Sequence, residues 1–363
     1  MAKKKIKGVY LYKRGRLGLK QLELDVFMEE PQKPKKTYKQ MWSSYNLAQT
    51  NEFKLFQDIL IEMIDSLIQV RKPLWKNGRP FNDLKDMIFC CVTKCYYGKS
   101  SRRNIGYLEL AKGKGYINKT PHFNTVLNYY RNRTMTNLLK HLIEQSGIPL
   151  KEIEQSFTTD ASGFSTSLYS RWFNVRMGKD RNRRLYKKAH VTSGVKSGIV
   201  SAIDVSEGYH HDSPYFEGLI KATAKNFNVK EVSADAGYMA RNNYDAVSQI
   251  GAIPYIMFRS NASNKARGSL VYKRMKQMYE SHREEFLNRY HLRSNAESVF
   301  STIKRKFGTH LYSKSETSQI NELLCIILAH NICVLIQELF ESNTILNFED
   351  CQKVIVRGSY CAN

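Results

Sequence analysis

Two aspartates each close a short apolar run and are followed at once by small residues. Asp160 ends Phe157-Thr158-Thr159-Asp160 and precedes Ala161-Ser162-Gly163; Asp235 ends Val232-Ser233-Ala234-Asp235 and precedes Ala236-Gly237-Tyr238. A carboxylate at a strand end sits on the rim of a sheet, where rigid backbone aims it and ligands reach it. Two such oxygen donors suit a hard divalent cation such as Mg2+, which prefers oxygen ligands and keeps part of its water. Taken singly, each aspartate suits a turn or a cap equally well. A third acid comes in a different setting. After Asn288, the residues Tyr290, Arg293, Glu297 and Lys304 follow at offsets of 3, 7 and 14 from the tyrosine. At about 100° per residue they fall within roughly 60° of one another, on one face of a predicted helix. Leu292, Ala296, Val299, Phe300, Ile303 and Phe307 line an adjacent apolar face. Such a helix buries one side and presents a carboxylate for a metal, Arg and Lys for phosphates, and a tyrosine that can stack on a sugar or base. The same spacing also serves a solvated, salt-bridged face.

The elements that must position these groups are legible around them. Strands are expected at Phe157 to Asp160, Ser170 to Arg176, Lys187 to Thr192, Ile199 to Asp204, Val229 to Ala234 and Ala252 to Phe258. Helices are expected over Phe216 to Phe227, behind the cap and first-turn proline of Ser213-Pro214, and over Arg241 to Ile250. From Leu270 to about Phe340 the chain reads as helical. An antiparallel start followed by alternating helix and strand describes an α/β mixed sheet flanked by helices. From Asn51 to about residue 150 the pattern is all helical. Phe53, Phe56, Leu60, Met63, Ile64 and Leu67 form one stripe from Asn51, and Leu84, Met87, Ile88, Cys91 and Cys95 a second, stopped by Gly98. Ser100-Ser101 offers a cap ahead of Arg102 and Arg103, Gly113 and Gly115 break that segment, and a last helical piece follows Pro121. Short helices with exposed arginines fit a helix-turn-helix or a plain bundle. The organisation expected is a basic N-terminal arm (1–48), a helical DNA-binding domain (49–150), a catalytic domain (151–342) and a C-terminal tail (343–363).

Charge narrows the partner. Fifty-seven Lys and Arg against 33 Asp and Glu leave a formal charge of +24, a field best tolerated where a polyanion neutralises it. Nucleic acid leads and an anionic membrane surface is second, though no convincing basic amphipathic helix supports the latter. Seven cysteines without a Cys-x-x-Cys pair read as reduced intracellular thiols, and the N-terminus shows no signal-peptide run, so a cytoplasmic, nucleoid-associated location is expected. Leu323 to Leu339, interrupted by His330, Asn331 and Gln337, reads as a buried helix rather than a span. His330 reads as a satisfied core histidine, His190 as an ordinary strand position near the site, and His210-His211 as turn residues ahead of a cap.

Tyr290-x2-Arg293-x3-Glu297-x6-Lys304 resembles the Tyr-Arg-Glu-Lys signature of DDE transposases from prokaryotic insertion sequences. Thr159-Asp160 after a strand and Ala234-Asp235-Ala236-Gly237-Tyr238 resemble the settings of that family's first two acids. His190, Gly194 to Ile203, and His211-Asp212-Ser213 resemble its intervening stretch, and Leu323 to Gln337 its terminal helix. The resemblance covers roughly residues 150 to 340, and weakly the region near Gly78-Arg79-Pro80. It implies a ribonuclease-H-like catalytic fold after a helical DNA-binding domain. It also implies two Mg2+ ions (Mn2+ able to substitute) held by Asp160, Asp235 and Glu297, with Tyr290, Arg293 and Lys304 positioning DNA phosphates. The implied partners are double-stranded DNA, as transposon ends and target, and a second copy of the chain on DNA. Only 62 positions separate Asp235 from Glu297, which leaves little room for the large β-rich insertion of some relatives and bears on whether a DNA hairpin forms.

Two rivals remain open at this level. One is a nuclease of the same fold that cuts without joining. The other is a DNA-binding protein whose catalytic fold is inactive, a reading the intact set of three acids disfavours.

Overall fold

The computed structural model describes residues 41–71, 82–166, 186–265, 267–342, 344–349 and 351–357, Arg176, and the backbone of four short strands within residues 4–28. The strand expected over Ser170 to Arg176, Arg176 apart, and the Gly78-Arg79-Pro80 stretch lie outside these residues. Met1–Met41 and Trp42–Asn363 form two compact units. In the first, β1 (Lys4–Lys5) pairs antiparallel with β4 (Phe27–Met28), and β2 (Tyr10–Gly15) with β3 (Gly18–Glu23) from Tyr10↔Glu23 to Gly15↔Gly18. These strands had no counterpart in the sequence reading of the Lys-rich arm.

The second unit opens with helices. α1 (Trp42–Leu67) starts earlier than Asn51 and runs straight into β5 (Ile68–Arg71). α2 (Leu84–Tyr97) is capped by Asp83, which accepts from the Lys85 amide, and closed by Gly98 in the left-handed region at φ 61°, as the sequence implies. α3 (Ser101–Gly113) follows with Ser100 accepting from the Arg103 amide. α4 (Phe123–Tyr130) and α5 (Arg133–Ser146) are two helices where the sequence suggested one piece, because Asn132 caps the second by accepting from the Thr134 amide.

The sheet comes next. β6 (Ser156–Ser165), β7 (Tyr186–Gly194) and β8 (Val200–Glu207) form an antiparallel meander. α6 (Ser213–Asn226), with Pro214 in its first turn, leads to β9 (Glu231–Ala234); α7 (Arg241–Gln249) leads to β10 (Ile253–Ile256). β9 and β10 join parallel to β6, giving the order β10-β9-β6-β7-β8 with β6 central. Three antiparallel strands continued by two parallel ones, with helices on both faces, is the ribonuclease-H-like arrangement expected.

Four helices complete the unit: α8 (Leu270–Ser281), α9 (Arg283–Tyr290), α10 (Ser294–Phe307) and α11 (Glu316–Glu341). β11 (Val354–Arg357) then pairs parallel with β5, Val354↔Ile68 through Arg357↔Arg71. The single helix expected after Asn288 is not continuous. A 3-10 turn, His291–Arg293, separates α9 from α10. The Ser294 hydroxyl donates to the His291 carbonyl at 2.9 Å, and this local bond accompanies the tightened turn.

The sheet divides the core. On one side Phe164, Val191, Val200 and Ile203 pack with α1, α2, α5, α10 and α11; on the other Phe157, Val232 and Ile256 pack with α6, α7, α8 and α9. α11 holds the first side together. One window of it has a mean hydropathy of 2.1, enough by length and composition to cross a membrane, yet 72% of that window is buried inside the protein. It is a core helix, as expected. α2 is buried on nearly every side, so the exposed basic residues of this region fall to α3, α4 and their flanks.

Candidate active site beside β6 and β9

Register brings the two aspartates together. β6 and β9 run parallel from Ser156↔Glu231 to Thr159↔Ala234, and the next residue on each is an aspartate. Neighbouring strands lie about 4.8 Å apart, so Asp160 and Asp235 are side by side on the rim. Alternation along β6 puts Asp160, Ser162 and Phe164 on one face, the one that α10 covers. Asp235 stays extended (φ −75°, ψ 174°) and accepts from the Gly237 amide at 2.8 Å, capping the 3-10 turn Ala236–Tyr238. A Cβ on Gly237 would sit 2.8 Å from Asp235 Oδ1, which is why glycine follows here.

α10 supplies the third acid. Its Ala296, Val299, Phe300 and Ile303 are buried, and this fixes which face it turns to the rim. Asn295 Nδ2 donates to the Val195 carbonyl at 2.8 Å and ties the helix start to the turn between β7 and β8. Glu297 is 60% exposed, but it is not alone: Arg293 Nη1 donates to its Oε1 at 2.8 Å, while Arg293 Nη2 lies 3.7 Å from Asp160 Oδ2. One guanidinium therefore touches carboxylates 137 positions apart in sequence, Asp160 and Glu297. Lys304 Nζ donates to Ser162 Oγ at 2.7 Å and lies 5.2 Å above the Phe164 ring. Tyr290 ends α9 half-buried, its hydroxyl against the Arg293 guanidinium. All six residues singled out from the sequence thus meet at one place, although the helix carrying four of them is interrupted.

The electrostatics are those of crowded acids. Burial pushes the Asp160 carboxyl up; the Ala161 amide and Arg293 pull it back, and Asp235 and Glu297 push it up again. Burial likewise raises the Tyr290 phenol, Arg293 opposing and Asp235 and Glu297 adding to the rise. Burial lowers Lys304. The three carboxylates feel one another, and Arg293 compensates only part of their charge.

Among the described residues, no three His, Cys, Asp or Glu side chains stand close enough to hold a metal ion as placed. Between Asp160 and Glu297 the cation present is Arg293. The donor set is nevertheless all oxygen, Asp160 is fixed within β6 and Asp235 directly after β9, and their mutual repulsion is what a divalent ion relieves. The residues fit such an ion.

Sequence reasoning missed Ser162, although its i, i+2 relation to Asp160 on a strand pointed to the same face. It also missed the support beneath the site. Thr159 and Thr192 hydroxyls bond at 2.9 Å, and Tyr238 is buried under the turn after Asp235. His190 is fully buried, with Nε2 2.7 Å from Ser206 Oγ, its ring stacked 4.2 Å from Tyr215, and Nδ1 3.5 Å from Asp212. Burial, against the opposing pull of Asp212, brings it down to about 4, so it is neutral near pH 7 and a weak base. His210 Nδ1 meets the Tyr215 hydroxyl at 2.9 Å, and His211 is exposed before Asp212, which takes the cap position expected of Ser213. His330 donates from Nε2 to the Gly198 carbonyl at 3.1 Å and is a satisfied core histidine, as read.

Residues 155–332 match the family model described as the transposase DDE domain. That stretch holds β6 through most of α11, and with it Asp160, Asp235, Glu297, Tyr290, Arg293 and Lys304. With the ribonuclease-H-like sheet that this stretch builds, the match marks residues 155–332 as the DDE domain of a transposase.

Proposed function

We propose that this protein is the transposase of an insertion sequence. It binds double-stranded DNA at the element's ends, cleaves it by divalent-metal-dependent hydrolysis and joins the freed 3′ ends to target DNA, acting as a homodimer on DNA. Asp160, Asp235 and Glu297 would hold two Mg2+ ions, Mn2+ substituting. Bound there, the ions supply activation of the attacking oxygen and stabilisation of the leaving one. The chain's own residues do the rest. Arg293 and Lys304 hold the phosphates flanking the scissile bond, Tyr290 packs against sugar or base, and the paired strands β6 and β9 keep Asp160 and Asp235 rigid. The observation that carries this reading is the parallel register Thr159↔Ala234, which seats two aspartates together beneath the helix bearing Glu297.

DNA binding draws on a second surface. Residues 99–133 contain eight Lys and Arg against one acid, Glu109, and all eight cations are exposed. None has a carboxylate partner among the described residues. Arg102 is propped over the Phe123 ring at 4.7 Å, linking α3 to α4. We assign residues 49–150 the role of reading and holding the ends, and 151–342 that of catalysis.

The test is Asp235→Ala. Cleavage and joining should be abolished while binding of an end-bearing duplex stays within about threefold, because the substituted side chain touches no phosphate-holding group. Normal cleavage by this variant ends the assignment. Supplying a labelled end with a free 3′-hydroxyl separates transposition, which yields a joined product, from a nuclease that only cuts.

A further inference from the structure

Resting on the metal site just proposed, the geometry points to one more property: Arg293 is a resident counter-ion that competes with divalent metal for Asp160 and Glu297. A DNA phosphate, by drawing Arg293 away, lets metal in. Metal and DNA then bind cooperatively, and the metal site forms fully only on DNA.

Four observations converge. The Arg293 guanidinium contacts Glu297 at 2.8 Å and Asp160 at 3.7 Å, so it spans two of the three donors that a metal must share. Its Nε is buried and has no hydrogen-bond partner, so the carboxylates leave part of its donor set unused. A phosphate, with more acceptor oxygens, can take up that donor as part of a bidentate pair. Glu297 is 60% exposed and sits in the first turn of α10, so its side chain is free to turn; Asp160, at 15%, is held by β6. Releasing the arginine therefore needs side-chain motion only, with the sheet unchanged. Lys304, a second cation near Asp160, has the Ser162 hydroxyl as its bonded partner and Phe164 beneath it, and is not in the way.

The energetics fix the sign. Without DNA, an incoming metal must break the contacts to both carboxylates and leave a guanidinium that is only 20% exposed without an anion, which opposes binding. With a phosphate present the arginine moves from one anion to another, and that opposition falls away. Linkage makes the effect reciprocal: whatever factor DNA gives to metal affinity, metal returns to DNA affinity.

The experiment is a Mn2+ titration of the full chain, with free ion followed by electron paramagnetic resonance and no turnover required. Arg293→Gln should bind Mn2+ about tenfold more tightly than wild type in the absence of DNA, since one coupling of ordinary size is removed. A short DNA duplex should tighten Mn2+ binding to wild type severalfold and leave Arg293→Gln nearly unchanged. Arg293→Lys, whose compact ammonium cannot span both carboxylates, should fall between them and guards against a folding artefact. Equal or weaker Mn2+ binding by both variants overturns the competition, as does a duplex that leaves wild-type affinity unmoved. The double variant Arg293→Gln/Asp235→Asn separates this from the metal site itself. If it binds Mn2+ as tightly as Arg293→Gln, the ion is not at these carboxylates and the site assignment fails; if binding is lost, the assignment stands and the competition is judged on the single variants.

Discussion

Replacing Asn331 with Leu should destabilise the protein by about 2–4 kcal/mol, although the side chain keeps its size and lies far from the rim in sequence. β8 is one of the two outer strands of the sheet, and an outer strand leaves backbone groups without a ladder partner. At Val200 those groups are met by one amide. The Val200 N–H donates to Asn331 Oδ1 at 2.9 Å, and Asn331 Nδ2 donates to the Val200 carbonyl at 2.8 Å and to Ser146 Oγ at 2.8 Å. Asn331, Val200 and Ser146 are all fully buried, so water cannot replace any of these bonds. Leucine would orphan a buried N–H and a buried C=O at roughly 1–3 kcal/mol each, offset in part by about 1 kcal/mol of added apolar burial. Urea unfolding, followed by intrinsic fluorescence, measures the net loss, and hydrogen exchange at Val200 reports whether its amide has opened. Asn331→Asp provides the sign: it keeps the acceptor for Val200 N–H but sets a carboxylate against the Val200 carbonyl, so it should recover stability as pH falls and the acid protonates. An Asn331→Leu variant within about 0.5 kcal/mol of wild type, with Val200 still protected from exchange, would refute the argument that this amide stands in for a missing strand.

Two further outcomes follow from buried ionisable groups. Burial brings His330 and His190 each to about 4, below the ordinary value near 6.5, so between these two pH values the unfolded chain takes up protons that the folded protein refuses. Stability is therefore full above about pH 6.5 and falls as pH drops towards 4, by up to roughly 1.4 kcal/mol per pH unit for each histidine, and His330→Gln should shrink the loss measured by urea unfolding between pH 7 and pH 5. Asp160 shifts the opposite way: its carboxyl is raised, first by burial, so the ionised form costs stability once pH exceeds the raised value. Asp160→Asn should stabilise the metal-free protein by about 1 kcal/mol at pH 7, less as pH falls towards the carboxylate range, while cleavage disappears; a variant no more stable than wild type at pH 7 would remove the claim that the rim is electrostatically strained.

What the sequence made legible was local. The strand end at Asp235, the Ser100 cap, the Gly98 stop and the buried character of Leu323 to Leu339 each follow from a few neighbouring residues, and each is found in place; the strand expected to end at Asp160 instead runs on to Ser165, because its pairing with β7 continues past the aspartate. What it concealed was pairing between distant segments. Nothing near Val354 announces that it will lie beside Ile68, and nothing near Asn331 announces that its amide will serve β8. The bridge from Arg293 to Glu297 follows from i, i+4 spacing, but the bridge to Asp160 needs the sheet and α10 to be assembled first. Even the interruption at His291–Arg293, with no glycine or proline to mark it, accompanies a serine hydroxyl bonded to a nearby carbonyl rather than a helix-breaking residue.

These two kinds of information converge at the rim. Asp160 and Asp235 are held by hydrogen-bonded strands and cannot drift apart without breaking the register of β6 and β9. Glu297 has no such constraint; its place depends on Ala296, Val299, Phe300 and Ile303 seating α10 on the sheet face shared with Phe164 and α11. The first two acids are thus rigid by backbone, and the third is positioned by apolar packing and a single guanidinium. A site built this way keeps a fixed pair of ligands and one adjustable ligand. The adjustable one is also the acid whose arginine is free to change partners. Packing at Val299 and Ile303 therefore bears on chemistry more directly than their distance from any charged group suggests, because a cavity there tilts the helix that carries Glu297 and leaves the aspartates where they are.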